Sequence, residues 1–251
     1  MEKPLLVKAK VLSKSLLTDD VVRLRIKNID PMKVAYNVGQ YISLKVPEGV
    51  YRSYSVFNYD DNINAFDIAA KVAHSGPGAN YIKAISTGTD VQFVGPTGRF
   101  ILDTESEEVY LFATGTGITP FLAYLRFLDN SYIKPQVTLF WGLNNKDDIF
   151  LEDIIYSYTM SIPKFSHQIY LSQSENSFQY RKGRVTDAIE KLEYGEDAKF
   201  YLCGNPHMIE DSIRMLKEKG ISEDKIFFEK YTWAEGEDSE GDISEGEILE
   251  E

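Results

Sequence analysis

The chain has 251 residues, 43% of them apolar and 13% aromatic, enough to bury one large or two ordinary cores and too many for wholesale disorder. A single cysteine, Cys203, excludes an internal disulfide and a four-cysteine zinc or iron–sulfur centre. Of the 39 acidic residues, nine lie in residues 234–251, with none of the 27 basic ones, so the net charge of −12 falls to −3 for the rest.

No apolar run approaches the roughly 20 residues of a membrane helix. The start, Met1-Glu2-Lys3-Pro4, lacks a signal-peptide profile, which makes the cytoplasm the expected location. The first hundred residues read as β-rich. "LLVKAKVLS", "VVRLRIKNI", "QYISLKVP", "RSYSVFN", "FDIAAKV" and "DVQFVG" are short β-branched and aromatic segments separated by turn clusters. Six such strands predict an antiparallel barrel or sandwich, interrupted by a short helix near Asn80–Ser86.

After Asp103 the rhythm changes to alternating strands and helices. Strands are expected at "EEVYLFATG", "PQVTLFWG", "FSHQIYLSQ", "AKFYLCG" and "KIFFEKYTW", and helices at "PFLAYLRFL", "DDIFLEDIIYSY", "VTDAIEKL" and "PHMIEDSIRMLKEKG". This order predicts a mostly parallel sheet covered on both faces. The expected domains are 1–103, an antiparallel β-barrel, and 104–233, an α/β domain, followed by an acidic, disordered tail at 234–251.

An open α/β sheet binds ligands beyond the carboxyl ends of its strands. The first strand of this half ends in "TGTGITP". Gly115 and Gly117 allow a tight turn and close approach of a ligand, Thr119 is a good N-cap and Pro120 a good first helical residue. The N–H groups of such a turn suit a pyrophosphate, although a tight turn without a ligand reads the same way. The fourth strand ends in Cys203-Gly204-Asn205-Pro206, with Asn205 as cap; Cys203 alone reads equally as a small buried residue. In "FFEKYTW", Glu229 and Tyr231 are two apart and project to one face of a strand. In "RSYS", Arg52 and Tyr54 share a face by the same rule.

"RSYS", "GPGANYI", "GPTGRF", "TGTGITP", "CGNPHM" and "FFEKYTW", in this order, resemble the ferredoxin–NADP reductase family, in particular its short bacterial branch without a fused iron–sulfur domain. The likeness covers about residues 5–233. It implies a flavin-binding barrel first, a nicotinamide-binding α/β domain second, and a flavin at their junction. Hydride would pass from nicotinamide C4 to flavin N5, and electrons would leave singly to ferredoxin or flavodoxin. For FAD the resemblance implies Arg52 at the pyrophosphate, Ser53, Tyr54 and Ser55 along the flavin, and Gly78, Ala79 and Asn80 at the pyrophosphate turn. Thr119, Tyr231 and Trp233 complete this set, with Tyr231 or Trp233 as an aromatic lid. For NAD(P) it implies Thr114, Gly115, Thr116, Gly117, Ser172, Arg181, Arg184, Cys203, Gly204 and Asn205. Ser55, Cys203, Glu229 and Tyr231 are the expected catalytic residues. Their work would be mainly positioning, bringing donor and acceptor atoms to roughly 3–3.5 Å, while the flavin supplies the chemistry.

Three departures from the family pattern stand out. Ala79 occupies a position where Ser or Thr is frequent, which leaves that site to backbone N–H groups. Ser172-Gln173 replaces the Ser-Arg pair of many NADPH users, and Asn144 stands where many relatives have Arg; Arg181, Lys182 and Arg184 could substitute. Whole-chain likeness favours NADPH over NADH and FAD over FMN without deciding either. The acidic tail follows the aromatic lid, where near relatives end, and could compete with an acidic carrier for a basic docking face. His74, His167 and His207 show no ligand spacing, so no metal is expected. No basic stripe with interleaved aromatics points to nucleic acid. The expectation is a cytoplasmic monomer without membrane or nucleic-acid partners. The alternatives are a reductase component of an oxygenase or a free-flavin reductase, and a non-catalytic module that keeps the fold.

Overall fold

The computed structural model describes residues 6–30, 35–73, 75–103, 105–132, 135–173 and 178–231. The chain divides into two compact units, one ending at Ile101 and the other spanning Leu102–Tyr231. Asp103 belongs with the second: its N–H donates to the Tyr201 hydroxyl (2.7 Å).

The first unit is one antiparallel sheet of seven strands. They are β1 (Leu6–Leu16), β2 (Val21–Asn28), β3 (Tyr41–Lys45), β4 (Tyr51–Ser55), β5 (Phe57–Asp60), β6 (Ala65–Lys71) and β7 (Asp90–Thr97), in the order β4-β3-β7-β1-β2-β6-β5. Helix α1 (Pro77–Ala84) lies between β6 and β7. Alternation builds the core: Val7, Ala9 and Val11 of β1 and Val22, Leu24 and Ile26 of β2 point inward, while Lys8 and Arg23 do not. The two end strands, β4 and β5, are separated in the chain by Val56 alone. The sheet therefore curls until its edges meet, which is the barrel the sequence predicts. The segment "RSYSVFN" was expected to be one strand and is two. Val56 marks the break, its N–H donating to the Gln40 carbonyl (3.0 Å) while its carbonyl accepts from the Tyr36 hydroxyl (2.7 Å). Helix α1 begins three residues earlier than expected, because Pro77 fits the first helical position after Gly76.

The second unit is a parallel sheet of six strands. They are β8 (Glu108–Thr114), β9 (Gln136–Leu143), β10 (Phe165–Leu171), β11 (Tyr180–Lys182), β12 (Lys199–Gly204) and β13 (Ile226–Lys230), in the order β11-β10-β9-β8-β12-β13. The helices are α2 (Thr119–Asp129), α3 (Glu152–Ser161), α4 (Asp187–Glu190) and α5 (Pro206–Glu218). Strand order reverses between β8 and β12, so the crevice beyond their carboxyl ends is the switch point where such sheets bind ligands. Three details differ from the sequence reading. The basic turn at Tyr180–Lys182 is an edge strand paired with β10, a pairing that needs only three residues and leaves little periodicity to read. The helix expected at "VTDAIEKL" is a single turn, tightened by the i→i+3 bonds Asp187 N–H to Arg184 and Ala188 N–H to Val185. Strand β13 stops at Lys230, although the Tyr231 N–H still donates to the Gly204 carbonyl (3.0 Å). Among the described residues no helix is long and apolar enough to cross a membrane.

Candidate functional site

In the barrel, the register of β3 and β4 sets Arg52 opposite Leu44 and Tyr54 opposite Ile42. Arg52 and Tyr54 therefore share the inward face, with exposures of 3% and 4%. Gly78, the second residue of α1, sits directly on them. A Cβ there would lie 2.8 Å from the Tyr54 hydroxyl and 2.9 Å from Arg52 Cγ, so only glycine lets α1 approach. Pro77 has no N–H, and the Asn80 N–H is spent on the Gly76 carbonyl (2.9 Å). That leaves the Gly78 and Ala79 N–H groups of the first turn without an intrahelical acceptor, beside a guanidinium. Such a corner suits a phosphate or pyrophosphate. Ser53 faces the other way, its hydroxyl 3.3 Å from that of Ser43. Ser55 ends β4, is 3% exposed, and pairs in register with Tyr41. The Asn80 side chain donates to the Ser75 carbonyl (3.1 Å).

In the α/β unit, Gly115–Ile118 forms a 3₁₀ turn that runs straight into α2. Thr119 is thus the first helical residue and Pro120 the second, one position later than expected for each. The Thr119 hydroxyl donates to the Thr116 carbonyl (3.0 Å) instead of capping the helix. Gly115 has φ +52° and open space where a side chain would project, as a ligand-facing glycine requires. Gly117 has a different duty from the expected approach to a ligand. A Cβ there would lie 2.4 Å from the Cys203 carbonyl oxygen, so it is the backbone of β12 that comes close. Gly204, at φ +122°, packs in turn on Thr114, whose Oγ1 accepts from the Asn205 N–H (2.9 Å). The Asn205 side chain caps α5 by accepting from the N–H groups of His207 (2.9 Å) and Met208 (3.4 Å). Strands β8 and β12 are locked end to end in this way, and Thr114, Gly115, Thr116, Gly117, Cys203, Gly204 and Asn205 come together at the switch point.

Cys203 is fully buried and pairs in register with Glu229. Burial, reinforced by the Glu229 carboxylate, pushes its thiol well above the usual range, against a smaller opposing hydrogen bond from Tyr231. A shift in that direction favours the neutral thiol, the weaker nucleophile. The Tyr231 hydroxyl also lies 3.3 Å from Thr119 Oγ1. Thr119, Cys203, Glu229 and Tyr231 thus form one cluster. Trp233 and the acidic tail 234–251 lie outside the described residues, as does His74.

Ser172 follows β10, its hydroxyl donating to Asn144 Oδ1 (3.2 Å), while Asn145 Nδ2 donates to Gln173 Oε1 (3.3 Å). The Asn145 N–H in turn donates to the Asp148 carboxylate (2.8 Å). Arg181, on the neighbouring strand β11, and Arg184 are exposed, and the Arg184 N–H donates to the Asp187 carboxylate (2.9 Å). Sequence reasoning missed two residues. Trp141, fully buried in β9, donates its indole N–H to the Gly115 carbonyl (3.0 Å). Gly142 beside it leaves room for Val185 and for Thr114 Cγ2. The "WG" at a strand end was the available signal, and nothing in it names a partner 26 residues away. Among the described residues no group of three or more His, Cys, Asp or Glu could hold a metal ion.

Residues 8–101 match the oxidoreductase FAD-binding domain and residues 111–213 the oxidoreductase NAD-binding domain, the paired signature of one family. The chain belongs to the ferredoxin–NADP reductase family. As a member it carries an FAD-binding and an NAD-binding domain. The chain is 27% identical to the reductase component of propane 2-monooxygenase from Rhodococcus jostii, over 86% of this chain and 61% of that one. It is also 27% identical to the electron transfer component of toluate 1,2-dioxygenase from Pseudomonas putida, over 86% and 64%. It spans less than two thirds of the length of these relatives. Among solved structures, the Amycolatopsis cytochrome P450 reductase GcoB is 26% identical, with a TM-score of 0.79 over 92% of this chain and 72% of that one. A ferredoxin NADP+ reductase from Neisseria gonorrhoeae with bound FAD and NADP shares the fold, with a TM-score of 0.80 at 19% identity over 91% and 99%.

Proposed function

We propose that the protein is an FAD-dependent reductase that takes electrons from NADPH and passes them singly to ferredoxin or flavodoxin. The observation that carries this reading is the Gly78 corner, where α1 can reach Arg52 and Tyr54 only because no Cβ intervenes. Bound FAD would supply the redox chemistry, taking up electrons in pairs and releasing them one at a time. The chain's residues bind and orient. Arg52 offers a planar fork to the pyrophosphate, joined by the N–H groups of Gly78 and Ala79 in place of a hydroxyl. Tyr54 and Ser55 contact the flavin, and Ser53 supports β4 from the opposite face. Thr119, Cys203, Glu229 and Tyr231 shape the nicotinamide pocket, with Tyr231 as a movable cover. Tyr231→Ser should tighten nicotinamide binding and slow its release; if both are unchanged, Tyr231 is no cover.

Arg181 and Arg184, exposed at the sheet edge beyond Ser172, support NADPH by offering cations to its 2′-phosphate. The relatives from Rhodococcus jostii and Pseudomonas putida favour a second reading, a reductase that serves an oxygenase. Stopped-flow reduction of the bound flavin by NADPH and NADH tests the core of the proposal. Turnover with purified ferredoxin, flavodoxin or an oxygenase then separates the two readings. Failure of both coenzymes to reduce the flavin would refute both. The protein is further proposed to be a cytoplasmic monomer, which light scattering and cell fractionation check.

A further inference from the structure

We infer that Trp141 is a positioning residue for the coenzyme: its indole N–H holds the Gly115–Thr116 peptide so that the Thr116 N–H is presented to the pyrophosphate of the nicotinamide dinucleotide. The inference rests on the proposed coenzyme reading and deepens it. A buried indole N–H needs an acceptor, and here the acceptor is the Gly115 carbonyl at 3.0 Å. The ring has little freedom, because Trp141 is fully buried and Phe150 packs edge-on against it at 5.0 Å and 84°.

Gly115 has the opposite character. At φ +52°, with nothing within 4 Å of a would-be Cβ, it carries no side chain of its own to anchor its peptide. A trans peptide is planar, so its N–H points opposite to its carbonyl. Holding the Gly115 carbonyl toward Trp141 therefore aims the Thr116 N–H away from Trp141. The next carbonyl, of Thr116, is held as well, by the N–H and the hydroxyl of Thr119 (3.0 Å for the hydroxyl). The Thr116 N–H, second in the turn, has no intrahelical acceptor. Beyond the i→i+3 bonding of the 3₁₀ turn, Trp141 thus adds a side-chain restraint on the peptide that follows the glycine.

Trp141→Phe keeps an aromatic ring and removes the donor. In the FAD-loaded full chain, NADPH should bind about tenfold more weakly, the loss expected when a donor to a charged group is misaimed. The limiting rate of flavin reduction should stay within about twofold, because only binding of the remote pyrophosphate is affected. Reduction by 1-methyl-1,4-dihydronicotinamide, which has no pyrophosphate, should be unchanged. An equal loss with both donors would mean that Trp141 merely packs, and no change with either would remove its role altogether. Amide nitrogen NMR of the unsubstituted protein gives an independent reading. The Thr116 amide should shift on addition of NADP+, and an unmoved Thr116 amide overturns the inference even if the variant fails to fold. An unsubstituted protein reduced by neither NADPH nor NADH would fail the coenzyme reading first, before Trp141 is tested.

Discussion

The two units use glycine at their sites for different reasons. In the barrel, Gly78 clears space for side chains: what a Cβ would meet is a tyrosine hydroxyl and an arginine methylene. In the α/β unit, Gly117 clears space for backbone, the Cys203 carbonyl, and Gly204 for the Thr114 hydroxyl together with its main chain. Side chains can swing aside by a rotamer change, whereas a strand end locked by its ladder cannot. The barrel corner should therefore tolerate insult by losing ligand affinity, and the switch point by losing structure. In the proposed reading, one grips its ligand with Arg52 and Tyr54 and the other with the main chain.

The sharpest test of that difference is Gly117→Ala. Its Cβ would sit 2.4 Å from a carbonyl oxygen, so the β8–β12 lock must open. The expected cost is about 3 kcal/mol, the upper end of ordinary overpacking, read as a lowered midpoint in urea unfolding. Gly78→Ala should lower that midpoint by less than Gly117→Ala does, because side chains can shift where a locked strand end cannot, and should weaken FAD retention by about tenfold as Tyr54 and Arg52 move. If the two variants lose stability equally, the contrast between side-chain and backbone clearance is wrong. Arg52→Leu removes the charge while keeping much of the buried stem. FAD affinity should fall by about 10–100-fold, the worth of a hydrogen bond to a charged group, measured by fluorescence of the released flavin.

Much of this was legible in the sequence because it is local. Alternation put Arg52 and Tyr54 on one face, strand–helix alternation gave the parallel sheet, and Asn205-Pro206 gave a helix cap. The rest depends on neighbours distant in the chain. That Val56 joins the two edges of the barrel follows from strand order, which no run of ten residues encodes. Gly117 reads as a ligand-facing glycine until Cys203, 86 positions later, is found against it. Thr119 reads as a cap until the turn before it proves to be 3₁₀ and takes its hydroxyl. Trp141 reads as core, and its donor role appears only with the Gly115 carbonyl in place.

The smallest effect near neutral pH, and a selective one at high pH, comes from groups the α/β unit holds protonated. Burial, with Glu108 nearby, pushes the Tyr110 phenol up to about 12, and burial does the same to Tyr201, also to about 12. Cys203 is pushed up as well. For each, the fold favours the neutral form, so the unfolded chain releases its proton first as pH rises. The stabilisation is complete below the unfolded values, about 9 for the thiol and about 10 for the phenols. It is lost as pH climbs toward about 12, with a slope set by the difference in bound protons. The urea midpoint should therefore hold steady from pH 7 to about 9 and fall above it. Tyr201→Phe removes one of the three groups, at the expense of the acceptor for the Asp103 N–H. It should lower the midpoint at pH 7 and make its fall above pH 10 shallower. An unaltered alkaline slope in that variant would mean that Tyr201 titrates alike in the folded and unfolded chains.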